Sequence, residues 1–317
     1  MKDNIIFILV ILGIVVTVII ICIITILIMC RTVKSNNLPV NNGQIRDATY
    51  SNRTMKFIVI NKMTKISQED IIDVIKATSI YMTDFSYHWG ISASFKIVND
   101  YPTEEDILDG SSLVYLVDDI IGENTNFQAI ALHWMTLPPP EDSADDGGTQ
   151  PREIIAGAPL IPVGIPVVVV PYGNDKYGLA SKKKDSTGNM PLIKDVLGEA
   201  FSHEIFETLI NPYAANGGSY QVYNDGIQIT LFTKEVCDPT ENNQQVRINN
   251  ISLSNFVTPD YFNPLAPKNS LFDYMGLIKE PLKPFNGNQY GITIKGSEVT
   301  YFMDSSANGN APRRFGR

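Results

Sequence analysis

One stretch constrains this chain before any other. Ile5–Cys30 is 26 consecutive residues without a charge, relieved only by Gly13, Thr17 and Thr25. As a helix rising 1.5 Å per residue it would span about 39 Å, against a hydrocarbon core of about 30 Å. A cleaved signal peptide would carry a shorter apolar region, of about 7–15 residues, closed by small residues. The run here is too long for that and ends in Ile28-Met-Cys-Arg31. The expectation is a single-pass protein: residues 1–30 form a transmembrane anchor whose partner is the lipid bilayer, through residues 5–30. Arg31 and Lys34 follow the run, while Lys2 before it is offset by Asp3. The positive-inside rule therefore leans towards a cytoplasmic C-terminal domain. Cys237 is the one cysteine outside the anchor, so no disulfide within the domain is available and nothing demands an oxidising compartment.

Charge excludes one class of partner. The formal net charge is −9 and the sequence pI about 4.9. The only basic run, Lys182–Lys184, reads as a solvated loop, so nucleic acid is not expected. Residues 31–54 are rich in Asn and Ser without apolar periodicity, and read as a flexible stalk.

Beyond the stalk the pattern becomes that of a folded domain over 55–303. Met55–Asn61 reads as a buried strand. Ser67 caps a helix whose first turn holds Glu69 and Asp70, where carboxylates suit the helix dipole, and whose apolar face runs through Ile71, Ile75, Ile80 and Met82. Strands are expected at Ser94–Val98, Leu113–Asp118 and Gln128–Met135, then an acidic, proline-rich excursion over 138–148. Pro166–Pro171 is an apolar strand fenced by prolines, which places it near a sheet edge. Pro191–Ile210 carries the strongest helical pattern and is ended by Asn211-Pro212. Shorter strands follow at Gln228–Phe232 and Val246–Leu253, and Asp304–Arg317 reads as a disordered tail. This order implies α+β: a mixed sheet with helices on one face.

Chemistry concentrates on the strong helix, at Ser202-His-Glu-Ile-Phe-Glu207. Residues four apart stack on a helix, so His203 and Glu207 can reach one metal ion, with Glu204 about 100° round and able to hold a water. That is the logic of the His-Glu-x-x-His helix of zinc proteases with a carboxylate in place of the second histidine. A short string of this kind also arises by chance. Glu199, four residues back, extends the polar line. A third ligand has to come from elsewhere. Thr233–Pro239 offers Glu235, 28 positions after Glu207, with Asp238 as the alternate. Cys237 reads as a small buried hydrophobe. His133 lies in an apolar strand, where a lone histidine is usually a satisfied core residue; a metal-facing role stays open. No Walker-type glycine loop and no Gly-x-Ser-x-Gly elbow is found.

Four ordered blocks carry a resemblance: Phe201–Pro212 (FSHEIFETLINP), Gly164–Val170 (GIPVVVV), Lys234–Pro239 (KEVCDP) and Ile251–Phe262 (ISLSNFVTPDYF). They resemble a widespread family of uncharacterised zincin-like proteins found in bacterial, phage and large DNA virus genomes. The matched region runs from about Gln128 to Phe302. The resemblance implies a zincin-like mixed sheet with an active-site helix. It also implies metal ligands at His203, Glu207 and Glu235 or Asp238, with Glu204 as general base. His133 resembles a histidine this family often carries at a strand end. Asn211 stands where the family often has Asp, and residues 138–158 look like an insertion. The function so implied is a membrane-anchored, zinc-dependent hydrolase acting on peptides or proteins. The rival is a non-catalytic zincin fold kept for assembly at a membrane, one of viral origin included.

Overall fold

The computed structural model describes residues 53–305 except 104–106, 108–109, 121–129, 137–154, 160, 163, 175, 183–188, 214–219, 225 and 242–244. Its architecture is α+β. Eleven strands are described: β1 Arg53–Lys62, β2 Ile91–Val98, β3 Ser112–Val117, β4 Leu132–Met135, β5 Pro166–Pro171, β6 Tyr220–Asn224, β7 Ile229–Thr233, β8 Val246–Ile248, β9 Ile251–Leu253, β10 Asn288–Lys295 and β11 Glu298–Ser305. Two long helices accompany them, α1 Gln68–Trp89 and α2 Ile193–Ile210.

The central sheet has the order β2-β1-β3-β5-β4; its first four strands are parallel and β4 is antiparallel. Strand period two divides its side chains between two cores. Phe57, Val59, Val114, Leu116, Val168 and Val170 pack on the face that carries both helices. Ile58, Ile60, Leu113, Tyr115, Val167 and Val169 pack on the other, against Ile107, Ile155 and Ile161. Burial on both faces is why these strands read as unbroken apolar runs.

The helices begin and end for local reasons. The Ser67 hydroxyl accepts the Asp70 N–H at 3.1 Å, and Gly90, at φ 68°, ends α1 in the left-handed conformation that a side chain resists. At the end of α2, the Asn211 N–H donates to the Glu207 carbonyl at 2.6 Å and Pro212 stops the ladder. An aromatic cluster ties the two helices together. The Phe85 and Phe206 rings stack at 4.4 Å, and Phe256 meets both edge-on. The β8–β9 hairpin turns through Asn249 and Asn250, both at positive φ, and lies against α2. Asp195 accepts the Ser252 N–H at 2.9 Å, and the Ser202 hydroxyl accepts the Ser254 N–H at 2.8 Å.

Two expectations are corrected. No helix among the described residues is long and apolar enough to cross a membrane. Although α1 has 22 residues, Glu69, Asp70, Asp73, Lys76 and Asp84 interrupt it, and α2 carries Lys194, Asp195, Glu199, Glu204 and Glu207. The expected fold of a zincin-like domain preceded by a transmembrane helix is thus replaced by an α+β fold without a spanning helix among the described residues. The run Ile5–Cys30 lies outside them, as do residues 31–52 of the expected stalk, the excursion over 138–148 and residues 306–317 of the expected tail. Second, the proline-fenced strand lies next to a sheet edge but does not form it. β5 lies between β3 and β4, because Pro166 and Pro171 occupy its ends and leave the valines free to bond on both sides. The edge is β4.

Gly198 marks a close approach between α2 and the hairpin. A Cβ there would come within 2.3 Å of the Ser252 carbonyl oxygen, a backbone atom that cannot swing away. Gly198→Ala is expected to destabilise the domain by about 2 kcal/mol, even though alanine favours a helix by about 1 kcal/mol. Urea unfolding midpoints measure this; an unchanged midpoint would mean that the hairpin does not pack on α2.

Candidate metal centre

Helix α2 is buried on nearly all sides, and its acidic residues meet partners from four other segments. His203 and Glu207 stack as their spacing predicts, with Nε2 3.2 Å from Glu207 Oε2. The loop after β7 comes up beneath them. The N–H groups of Cys237 and Asp238 donate to Glu207 Oε1 at 3.1 and 3.3 Å, and Asp238 Oδ1 lies 3.3 Å from His203 Nε2. That loop is held from behind by Val257, whose N–H donates to the Val236 carbonyl at 2.7 Å.

His133 reaches the cluster from the edge strand. Opposite residues of an antiparallel pair share a face. His133 pairs with Val168, which faces the helices, so the imidazole points at α2 while Leu132 and Trp134 pack on the other core. Its Nδ1 lies 2.8 Å from Glu204 Oε2, and its Nε2 lies 3.0 Å from the Asn211 carbonyl oxygen. The Asn211 side-chain amide donates to Glu235 Oε1 at 2.6 Å. Glu235 Oε2 is buried without a hydrogen-bond partner among the described residues, 3.8 Å from His133 Nε2.

The expected residues therefore fall into two overlapping groups. His203, Glu207 and Cys237 bring ligand atoms within 4.8 Å of one another, and so do His133, Glu207 and Glu235. Glu207 belongs to both. Glu235, the first choice for third ligand, sits with His133, whereas its alternate Asp238 stands beside His203. These buried His, Glu and Cys groups can hold a metal ion. Glu199 is in neither group; it pairs with Lys182 at 3.6 Å on the cleft wall.

A cleft of about 380 Å³ opens over the cluster, lined by His203, Glu204, Glu207, Asp238, Glu199 and Tyr290 among others. Tyr290, from β10, has no counterpart in the sequence reading. No local motif surrounds it, and only the return of the four-stranded antiparallel sheet (β11-β10-β7-β6) brings it to the cleft.

The electrostatics are those of a site with more buried carboxylate than cation. Burial raises the Glu235 carboxyl well above the ordinary range, and the neighbouring Glu207 adds to this. Burial and Glu207 likewise push Asp238 up to about 7. For the histidines burial opposes the charged form but is outweighed. Glu204, Glu235 and Glu207 raise His133 to about 9, and Glu207 and Asp238 hold His203 well above its ordinary value. Glu207 itself is lowered, because His203, His133 and the Cys237 N–H together exceed the cost of burial. Tyr290 is raised by burial and by the surrounding carboxylates, which keeps its phenol a hydrogen-bond donor.

Comparison with protein-family models, with curated proteins and with solved structures finds no match to this chain. The zincin-like resemblance accordingly stands on its four sequence blocks.

The raised groups define a pH dependence for the metal-free protein. His133, at about 9 in the fold against an ordinary 6.5, contributes stability that is complete below pH 6.5 and lost as pH rises through 9, up to about 3 kcal/mol. Asp238 and Glu235 act in the same direction at lower pH, since folding holds their protons. Glu207 opposes them, its contribution being lost only as pH falls through its lowered value. The melting temperature of the metal-free protein is expected to fall from pH 6 to pH 9.5, as calorimetry would measure. Glu235→Gln, which removes a buried ionisable group whose proton the fold retains, should make that fall shallower.

Proposed function

We propose that this chain is a zinc-dependent hydrolase acting on peptides or proteins. The observation that carries this reading is His203 stacked over Glu207 and facing Asp238, on the floor of a cleft whose buried carboxylates outnumber its cations. Ligands of a tetrahedral zinc at about 2.0–2.2 Å lie about 3.3–3.6 Å apart. The 3.2 and 3.3 Å separations about His203 Nε2 are close to that spacing. His203 and Glu207 would hold the ion, with the third ligand from the loop beside them: Asp238, which stands next to His203, or Cys237, which completes the converging trio. Zinc so bound supplies Lewis acidity to a substrate carbonyl and to water.

The chain's own residues do the rest. Glu207 is held by two backbone N–H groups on Oε1, which leaves Oε2 for the ion. Glu204 lines the cleft one residue from His203 and takes the proton of the attacking water. Tyr290 donates a hydrogen bond to the developing oxyanion. β4 is the edge strand beside the cluster, so an extended chain laid along it passes the cleft.

A second reading is favoured by one observation. Glu207 and Asp238 both pair with His203 and so can satisfy it without any metal, as a purely structural, non-catalytic fold would require.

Metal content of the full chain separates the two, measured by mass spectrometry beside His203→Ala and Glu207→Ala. The hydrolase reading expects near-stoichiometric zinc in the parent, lost in both folded variants. It further expects cleavage in a peptide library that Glu204→Gln reduces at least a hundredfold. A folded parent that takes up no zinc would leave the structural reading.

A further inference from the structure

His133 is a buried ionisable group that the proposed reaction leaves without a task. It belongs geometrically to a metal-binding trio, with Glu207 and Glu235, and a second cation there is the first idea to weigh. The hydrogen bonds argue otherwise. Glu207 Oε1 already accepts two backbone N–H groups, which leaves only Oε2 for any ion, and Oε2 lies 3.2 Å from His203 Nε2 but 3.9 Å from His133 Nδ1. On His133 itself, Nε2 faces a backbone carbonyl, which can only accept, so Nε2 carries a hydrogen. The remaining nitrogen, Nδ1, is 2.8 Å from Glu204 Oε2, a hydrogen-bond length. Both ring positions are thus engaged, one on a fixed backbone atom and one on the proposed general base.

We infer that His133 is a positioning residue for Glu204 and not a metal ligand. This rests on the hydrolase reading. The ring is a strut. Its far end is pinned to the last turn of α2 through the Asn211 carbonyl, and its body is held by the β4–β5 pairing. Its near end holds one oxygen of Glu204, which restrains the carboxylate and leaves the other oxygen uncommitted to this bond, in a residue that lines the cleft. Glutamate has three side-chain torsions and would otherwise sample several rotamers. Immobilising it in the reactive one gives the orientation on which general-base catalysis depends. The Asn211 carbonyl serves this arrangement and its side-chain amide holds Glu235, so the residue that ends α2 also sets the rear of the site.

Two substitutions separate the ends of the strut. The amide nitrogen of His133→Gln can take the position of Nε2, keeping the bond to Asn211 while losing Glu204. That of His133→Asn can take the position of Nδ1, keeping Glu204 while losing Asn211. In the full chain with zinc, against the peptide that the parent cleaves, His133→Gln is expected to lower kcat about a hundredfold with KM and zinc content unchanged. His133→Asn should restore most of that turnover at a lower melting temperature. The chain has only three histidines, so nitrogen NMR of their rings supplies a readout besides activity. Addition of zinc should shift His203 and leave His133 unshifted. Loss of zinc in His133→Gln, or a zinc-dependent shift of the His133 ring, would make it a ligand and overturn the inference while the hydrolase reading stood. Equal losses of kcat in both variants, in step with stability, would reduce it to a structural residue. A parent that binds no zinc would remove the hydrolase reading and this inference together.

Discussion

The site depends on one carboxylate and the two backbone N–H groups that meet it. Glu207 is buried in the wall of α2, and an isolated carboxylate there would cost several kcal/mol. The cost is met by the N–H groups of Cys237 and Asp238 on one oxygen and by His203 against the other. The same bonds bring a loop some thirty residues downstream against the helix and carry Asp238 to His203. They share the seating of the loop on α2 with the Asn211 amide, which holds Glu235. How His203 and the carboxylates face one another is set by this junction more than by the helix motif alone.

Around the junction the fold is arranged so that charge can be buried at all. The aromatic contacts of Phe85, Phe206 and Phe256 and the close approach of Gly198 to the β8–β9 hairpin hold α2 in place. Another side of α2 lines the cleft. There the carboxylates of Glu204, Glu207, Glu235 and Asp238 gather against two histidines, and both histidines are driven towards their charged forms. A divalent cation is the simplest species that relieves such an imbalance, since it replaces the protons that the carboxyls otherwise retain.

Much of the frame is legible in the residues. β1, α1, β3 and α2 follow from apolar periodicity and from local stops such as Ser67, Gly90 and Pro212, because these signals act within a few residues of where they stand. The stacking of His203 on Glu207 follows from helical pitch alone. The proline-fenced β5 misled because prolines at both ends of a strand mimic an edge, while what makes a strand central is its neighbours. The turn at Asn249-Asn250 splits an apparent single strand into a hairpin.

What the chain determined by itself was therefore local: which segments are helix or strand, and that one helix carries His203, Glu204 and Glu207 at metal-binding spacing. Only the tertiary structure decided the company they keep. It put Asp238 beside His203 and Glu235 behind it with Asn211 and His133, and it carried Tyr290 to the cleft from a strand far along the chain. The physical reason is one of scale. Helical pitch is set by backbone sterics over four residues. The separation of two carboxylates three positions apart in a loop is set by how sheet, helices and loop pack together, and no short stretch of sequence encodes that distance.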